Sequence, residues 1–305
     1  MKQAQREIPW FKRYAWHGVV LLGLLILSVM PRAEAQIVYV AEKDHQRYIL
    51  VGTIHLGSGP ETRLSDAVAD SMLRADHVYF ELTMRDLQSG LFDMMRAGRR
   101  QEGTLEQVLG PQLWEEFSAF TRAHGMPGAQ INQLEMWLVT TLLSAQMSQK
   151  AGFFAHYGIE APLYGRLAQQ QIQERGLERT AAQVEALRAT FSRYDDAELA
   201  KRLMEDAEGL HEELTRLEAS WRAGDLDRLM DAIYAQETTE SLYAILDARN
   251  LAWFAYLESV YIQPAEPVEL FIAVGAGHIG GETGLKTRFQ EAGFSVTPWD
   301  EYSGE

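Results

Sequence analysis

The 305-residue sequence contains no cysteine. Disulfide bonds are therefore excluded, and so are metal sites built on thiolates. A lipoprotein anchor is excluded as well, because that anchor is attached to a cysteine at the cleavage site. If the chain is exported, the absence of disulfides is more typical of a bacterial periplasmic protein than of a eukaryotic secreted one.

Three common catalytic signatures are also missing. The sequence has no Gly-x-Ser-x-Gly turn, no Walker-type lysine loop and no His-Glu-x-x-His helix motif. Serine-triad hydrolases, P-loop nucleotide hydrolases and zincin-type metalloproteases are therefore not predicted.

The sequence has a single long apolar run, at residues 18–30. It follows a basic segment, is broken by Pro31, and precedes Ala33-Glu34-Ala35, which is the layout of a secretory signal peptide. Its length falls short of the roughly 20 residues that span a bilayer. We therefore predict a signal peptide at residues 1–35, with an uncleaved signal anchor as the alternative, and a periplasmic or secreted mature chain that starts at Gln36.

Positive charge is scarce, because the chain has 28 basic and 43 acidic residues. The predicted leader holds five of the basic and two of the acidic ones, which leaves a mature net charge of −18. Nucleic acid and anionic membrane surfaces are thus not expected partners. A peptide or small-molecule substrate is expected, with no membrane association beyond the signal peptide. Oligomeric state cannot be read from these patterns.

The 270 residues of the mature chain are enough for one large domain, 36–305. Strand patterns lie near both of its ends, at residues 37–41, 47–51, 77–82, 268–274 and 294–296. From about residue 105 to 261 the spacing is mainly helical, with a long helix at 196–221 and one short strand at 171–173. Further helices are predicted at 61–74 and 280–292. The fold class is α/β, an α+β composite: a central mixed sheet with a helical layer or cap inserted between its halves.

Two Gly-x-x-His motifs, Gly52–His55 and Gly275–His278, each follow an apolar strand. Glycine permits a sharp turn at the carboxyl end of a strand, where open α/β sheets bind their ligands. A histidine placed there can present a neutral imidazole to a metal or transfer a proton near neutral pH. The pair predicts one functional site built from both ends of the domain.

Glu81 ends the third predicted strand and adds a carboxylate to this pair. Two histidines and a carboxylate are a ligand set suited to a divalent ion such as Zn, Mn or Co. The same three side chains can also act as general acid and base without a metal. A strand-end acid that pairs with Arg85 or caps a helix is the structural alternative for Glu81.

The ordered motifs of the chain resemble the TraB/GumN family, which includes the Tiki-type membrane metalloproteases and pheromone-shutdown proteins. The resemblance runs from about residue 37 to 298. It is carried by the following segments: Gly52-Thr53-Ile54-His55, the strand ending in Glu81, Gly158-Ile159-Glu160, Gly176-Leu177-Glu178 with Gln183, Trp221-Arg222-Ala223-Gly224-Asp225, Ala248-Arg249-Asn250, and Gly275-Ala276-Gly277-His278.

This resemblance implies a fold related to erythromycin esterases and haem-binding ChaN-like proteins, with the site in a central cleft. By position, His55, Glu81 and His278 match the family's proposed catalytic or metal-binding residues, and Arg249 with Asn250 matches its Arg-Asn pair. Arg249 is expected to clamp a carboxylate or stabilise an oxyanion. Glu160 stands where an aspartate is more usual. The other supporting positions are Gly52, Gly275, Glu178 and Gln183.

Three functions are compatible with these residues. The leading hypothesis is an exported metal-dependent hydrolase, a peptidase in which His55, Glu81 and His278 hold a Mn, Co or Zn ion or activate a water. A metal-free, esterase-like hydrolase would use the same side chains for proton transfer. A periplasmic protein that binds haem, metal or peptide without catalysis is the third.

Overall fold

The computed structural model describes residues 36–235, 239–265 and 267–302. The predicted signal peptide at residues 1–35 lies outside them. Six strands form one mixed sheet in the order β4-β3-β5-β2-β1-β6. Their bounds are β1 Val38–Lys43, β2 Gln46–Thr53, β3 His77–Phe80, β4 Arg175–Gly176, β5 Val268–Gly275 and β6 Ser295–Pro298.

Strands β4, β3, β5 and β2 are parallel neighbours, while β1 runs antiparallel to both β2 and β6. The central strands β2 and β5 are almost wholly buried. This agrees with the apolar runs at 48–51 and 270–274 within them, because a strand covered on both faces shows no polar alternation there. The α/β composite class and the mixed central sheet are therefore confirmed.

The hairpin at the start of the domain ends its first strand at Lys43 and begins its second at Gln46. Asp44, in the turn, has φ of 54°. Aspartate is one of the few residues with a side chain that visit this left-handed region readily. The turn fixes the register in which Val38 faces Val51, so that β2 ends directly at the first Gly-x-x-His motif.

Helices fill most of the chain between the strands. Before β5 they are α1 Asp66–Arg74, α2 Met84–Ala97, α3 Leu105–Ala123, α4 Gly128–Ile131, α5 Met136–Lys150, α6 Glu160–Gln170, α7 Thr180–Phe191, α8 Asp196–Asp206, α9 Leu210–Arg222, α10 Leu226–Tyr234, α11 Thr239–Leu242 and α12 Ala248–Leu257. Helix α13, Leu285–Glu291, follows β5.

Several predicted element bounds were wrong. The long helix at 196–221 is two helices, α8 and α9, and the helix at 280–292 starts only at Leu285. The short strand placed at 171–173 is β4, at Arg175–Gly176, because Gln171 ends helix α6 in a left-handed conformation.

Two apolar cores hold the molecule together. The larger surrounds the sheet and includes strand residues such as Ile49 and Phe271. The smaller lies among helices α3, α5, α7 and α8 and includes Phe117 and Leu143. The helical layer thus has an interior of its own. In the described ranges no helix is long and apolar enough to cross a membrane.

A π-helical turn, Tyr243–Asp247, leads into α12. Its widened hydrogen bond runs from the Ala248 N–H to the Tyr243 carbonyl. Such turns are rare and occur often at functional sites, because the inserted residue turns the following side chains and frees backbone carbonyls. Here the residue that follows Ala248 is Arg249, whose side chain enters the cleft described next.

Candidate functional site

The carboxyl ends of the four parallel strands meet at one edge of the sheet. In sheet order they deliver Glu178 after β4, Glu81 after β3, His278 after β5 and His55 after β2. These four residues are separated by up to 223 positions in the sequence, yet they follow neighbouring strands. This is the edge at which open α/β sheets bind their ligands.

Gly275 marks the point where three of these side chains converge. A Cβ atom on Gly275 would lie 3.2 Å from Glu81 Oε1, 3.6 Å from His55 Nε2 and 3.6 Å from His278 Cδ2. The Gly275 N–H donates to Glu81 Oε1 at 2.8 Å. The absence of a side chain at this position therefore leaves the space between the three groups open.

The other motif glycine, Gly52, lets the two Gly-x-x-His motifs touch. A Cβ there would lie 2.6 Å from Ile37 Cγ2 and 3.1 Å from Ala276 Cβ, inside the second motif. The Gly52 carbonyl accepts a hydrogen bond from Trp221 Nε1 at 2.7 Å. Gly52 is thus a packing residue that brings the end of β2 against the turn after β5.

Arg249 is the centre of a buried network, with a side chain only 9 % exposed. Nη2 donates to Glu81 Oε2 at 2.6 Å and to Glu178 Oε1 at 2.7 Å, and Nε donates to Glu178 Oε2 at 3.1 Å. Nη1 donates to the Ile245 carbonyl and to His278 Nε2, both at 2.9 Å. A guanidinium has five N–H donors, and all five have protein acceptors here.

This full set of partners corrects the expected role of Arg249. The sequence predicts that Arg249 clamps a carboxylate or stabilises an oxyanion, but all of its donors are bonded within the protein. The guanidinium also packs on the Trp253 ring, with 4.7 Å from Cζ to the ring centre. Arg249 therefore acts as a positioning residue that holds Glu81 and His278 in place and supplies positive charge beneath the cleft.

The same network determines the protonation state of the His278 ring. Its Nε2 accepts from Arg249, so its Nδ1 carries the proton and donates to Asn250 Oδ1 at 2.7 Å. Burial lowers the pKa of His278 to about 3, and the charge of Arg249 acts in the same direction. His278 is consequently a neutral, buried imidazole with both ring nitrogens bonded to the protein.

The two carboxylates on Arg249 are held differently. Burial acts to raise the pKa of Glu81, but the positive charge around it and the Gly275 N–H outweigh burial and lower that pKa to about 2. Burial raises the pKa of Glu178, since the nearby Glu81 charge adds to burial and offsets part of the stabilisation by Arg249. Glu81 is therefore held in its ionised form, and it is the one of the two whose Oε1 lies beside Gly275.

His55 is the accessible histidine of the pair, with 68 % of its side chain exposed. Its Nδ1 lies 2.8 Å from Glu160 Oε1, and Thr53 Oγ1 donates to that same oxygen. The charge of Glu160 raises the pKa of His55 to about 9. Burial acts to raise the pKa of Glu160, but His55 and Thr53 outweigh burial and lower it. An orienting carboxylate on Nδ1 leaves Nε2 for proton transfer.

A tight loop delivers Glu160 to this position. The Gly57 and Phe154 backbones exchange two hydrogen bonds, and the Ile159 N–H donates to the Ile54 carbonyl. Gly158 passes so close that a Cβ would lie 2.3 Å from the His55 carbonyl oxygen. Glu160, the first residue of α6, is thereby fixed against His55. The longer carboxylate at this position reaches the site directly.

Two cavities meet at this cluster, and both are lined by His55, Glu81 and Gln183. The smaller lobe, of about 230 Å³, extends past Phe80, Met84 and Tyr164. The larger lobe, of about 510 Å³, extends under helices α7, α9 and α10. The side-chain amide of Gln183 makes no hydrogen bond within the described part of the chain, so it is available to a ligand at the junction.

The predicted metal ligands fit a divalent ion poorly in this arrangement. A histidine ligand needs a free ring nitrogen, and both nitrogens of His278 are bonded to Asn250 and Arg249. The Arg249 cation itself touches Glu81 and His278, two of the three predicted ligands. No cluster of three or more potential ligands with metal-binding geometry occurs among residues 36–235, 239–265 and 267–302.

The structure thus brings together every side chain of the predicted site: His55, Glu81, Glu160, Glu178, Gln183, Arg249, Asn250 and His278. Sequence reasoning missed Thr53 and Trp253. Thr53 lies inside the first motif, and Trp253 follows Arg249 by four residues on α12, the spacing that puts two side chains on one helix face. The Trp253 and His278 rings lie 4.5 Å apart.

Comparison with known proteins identifies the family of this chain. The chain is 24 % identical over 245 residues to the uncharacterized protein YbaP of Escherichia coli (strain K12), covering 79 % of this chain and 87 % of YbaP. It is 25 % identical over 240 residues to YbaP of Shigella flexneri, covering 77 % and 85 %. No solved structure matches this chain. The TraB/PrgY/gumN family model matches residues 37–298. This protein belongs to the TraB/PrgY/gumN family.

Proposed function

We propose that this protein is an exported hydrolase that cleaves an ester or amide bond at the junction of the two lobes. The observation that carries the proposal is the His55–Glu160 pair: Nδ1 of an accessible histidine is held by a buried carboxylate, and Nε2 faces the open space beside Gly275. A base oriented by a third group is the arrangement that activates a water or hydroxyl nucleophile.

The reaction uses a water and one shuttled proton. Glu81 Oε1 accepts a hydrogen bond from the water, and His55 Nε2 removes a proton as the water oxygen bonds to the carbonyl carbon. The bond from that carbon to the leaving oxygen or nitrogen then breaks, and His55 returns the proton to the leaving group. The products are a carboxylic acid and an alcohol or amine.

The negative charge that develops on the carbonyl oxygen in the transition state needs hydrogen-bond donors that have no partner within the protein. Gln183 meets this condition at the junction of the lobes, where its amide N–H groups can bind the developing oxyanion. Arg249 contributes without contact, because its charge lies below Glu81 and favours negative charge nearby. His278 keeps Arg249 and Glu81 in place through Nε2.

A methyl group at Gly275 tests this site. In Gly275→Ala the new Cβ would occupy the space between Glu81 and His55, 3.2 Å and 3.6 Å from their nearest atoms. The backbone at Gly275, φ −49° and ψ 136°, accepts alanine. We expect hydrolysis of p-nitrophenyl acetate and of a peptide library to fall by on the order of a hundredfold, because the reacting water is displaced.

Gly165→Ala is the matched control, because a Cβ at this helical glycine meets nothing within 4 Å. It should retain the wild-type rate and melting temperature. Equal rates for wild type and Gly275→Ala would disprove a reaction at this point. If wild type cleaves none of the ester and peptide substrates, the hydrolase proposal fails and the binding protein is left.

A metal-dependent hydrolase is the second candidate, favoured by the convergence of His55, Glu81 and His278 around Gly275. The two versions differ in one measurement. For the metal-free site we expect less than a twofold change in kcat/KM after chelator treatment and after addition of Mn, Co or Zn. Stoichiometric metal that is lost in both His55→Ala and His278→Ala would instead establish the metal-dependent version.

A further inference from the structure

The larger lobe has walls that are almost entirely aliphatic. Beyond the cluster at its mouth, it is lined by leucine and isoleucine side chains from α7, α9, α10 and the π-helical turn, together with Phe153: Leu187, Leu214, Leu217, Leu229, Ile233, Ile245 and Leu246. Such a lining attracts apolar ligand surface and offers no directional contacts.

The polar side chains of the same wall already have partners in the protein. Thr53 donates to Glu160, Glu218 accepts from the Ser58 N–H and from Thr62, and Arg249 and His278 are bonded as described. His55, Glu81 and Gln183 also line the smaller lobe, so their polar groups lie where the two lobes meet.

This distribution of polar groups discriminates between two kinds of ligand, a peptide main chain and a hydrocarbon chain. A peptide main chain that entered the lobe would bring N–H and C=O groups, and burying these without partners is costly. A hydrocarbon chain brings none and gains from burial along its whole length. The volume of about 510 Å³ is about three times that of a cavity of about 150 Å³ that binds benzene, and so has ample room for a chain of about ten carbon atoms.

We infer that the larger lobe binds an aliphatic acyl chain, so that the substrate is an acyl ester or acyl amide with its carbonyl at His55 and Gln183. This inference rests on the proposed hydrolase function. The smaller lobe, lined by Phe80, Leu82 and Met84, receives the leaving group on the other side of the carbonyl.

Rates with esters of increasing chain length test the inference. For p-nitrophenyl esters from acetate to decanoate we expect kcat/KM to rise by about two- to fourfold for each added methylene group until the lobe is full. Rates that stay flat, or fall, across this series would overturn the inference while leaving the hydrolase proposal intact.

Ile233→Trp fills the lobe from α10, away from the proton-transfer groups. We expect it to abolish the gain from chain length, so that kcat/KM for the decanoate ester no longer exceeds that for the acetate ester. Leu91→Trp is the matched control, since Leu91 is 57 % exposed and lines neither lobe. It should behave as wild type, and equal chain-length dependence in both variants would contradict the inference.

Direct binding separates this inference from the hydrolase proposal. Dansyl-labelled undecanoic acid should bind wild type and Leu91→Trp with enhanced fluorescence, and Ile233→Trp at least tenfold more weakly. If no ester is hydrolysed but the probe binds with this pattern, the acyl site stands and the hydrolase proposal fails. If wild type does not bind the probe, the acyl site is wrong whatever the hydrolytic rates.

Discussion

Replacing Arg249 with alanine is expected to lower the free energy of unfolding by about 3–5 kcal/mol, because it leaves two buried carboxylates without their shared cation. Glu81 and Glu178 both bond to this guanidinium, and their side chains are only 10 % and 6 % exposed. Nε2 of His278 and the Ile245 carbonyl lose donors at the same time. Urea unfolding followed by circular dichroism at pH 7 measures the loss.

The matched control is Arg166→Ala. Arg166 also bridges two carboxylates, Asp66 and Asp70, but on the surface. Exposed ion pairs contribute about 0–1 kcal/mol, so this variant should remain close to wild type. An equally small effect at Arg249 would show that the buried network does not stabilise the fold.

The loss of stability in Arg249→Ala should depend on pH, and the direction of that dependence follows from the pKa of Glu81. In wild type the folded-state pKa of Glu81 is lowered from 4.5 to about 2. Its contribution to stability is therefore present above pH 4.5 and lost as the pH falls toward 2. In Arg249→Ala, buried carboxylates without a cation bind protons more readily in the folded state. The difference in stability between the two proteins should thus be largest at neutral pH. It should shrink as the pH falls, first through protonation of the variant's carboxylates and, below pH 4.5, through protonation of Glu81 in wild type.

His55→Ala is expected to lower kcat/KM by about 10²–10⁴-fold, the usual contribution of a general base. His55 is 68 % exposed in the cleft, so its removal should change stability little. His45→Ala is the matched control, because His45 lies exposed in the β1–β2 turn, at the opposite edge of the sheet. Equal activity of the two variants would remove His55 from the mechanism.

A change at Glu160 tests the role of His55 further. Because Glu160 raises the pKa of His55 to about 9, the fraction of neutral, reactive imidazole grows up to that pH. Glu160→Gln removes the charge that favours imidazolium. We expect the limb of the pH–rate profile on which the rate rises with pH to move down by at least one pH unit, toward the ordinary histidine value. An unmoved limb would mean that a group other than His55 sets it.

Much of the site could be predicted from the sequence. Strand-end glycines followed by His55 and His278, with Glu81 after a third strand, indicate one sheet edge because parallel strands align their carboxyl ends. The family motifs add Glu160, Glu178, Arg249 and Asn250. No sequence pattern predicted that the two histidines would differ in exposure. With the same Gly-x-x-His spacing, one imidazole is exposed and the other is buried.

This difference in exposure depends on contacts between residues far apart in the chain. Both ring nitrogens of His278 are bonded by Arg249 and Asn250 from α12, whereas His55 contacts Glu160 from α6. Local spacing fixes where each histidine leaves its strand, but not what packs above it. The same limit explains β4: an edge strand of two residues, Arg175–Gly176, has too little apolar sequence to be distinguished from the loop around it.

The position of β5 has a consequence for how the molecule assembles. β5 lies between β2 and β3, and its pairing with β2 joins Gln46 to Val268, across most of the chain. The central strand of the sheet is therefore synthesised after β1–β4 and after helices α1–α12. A chain cut before residue 267 would lose the middle of the sheet, with β2 and β3 left as unpaired edges on either side of a gap. Pairing over such distances is slow, so the candidate site can form only after β5 has been synthesised and has paired with β2 and β3.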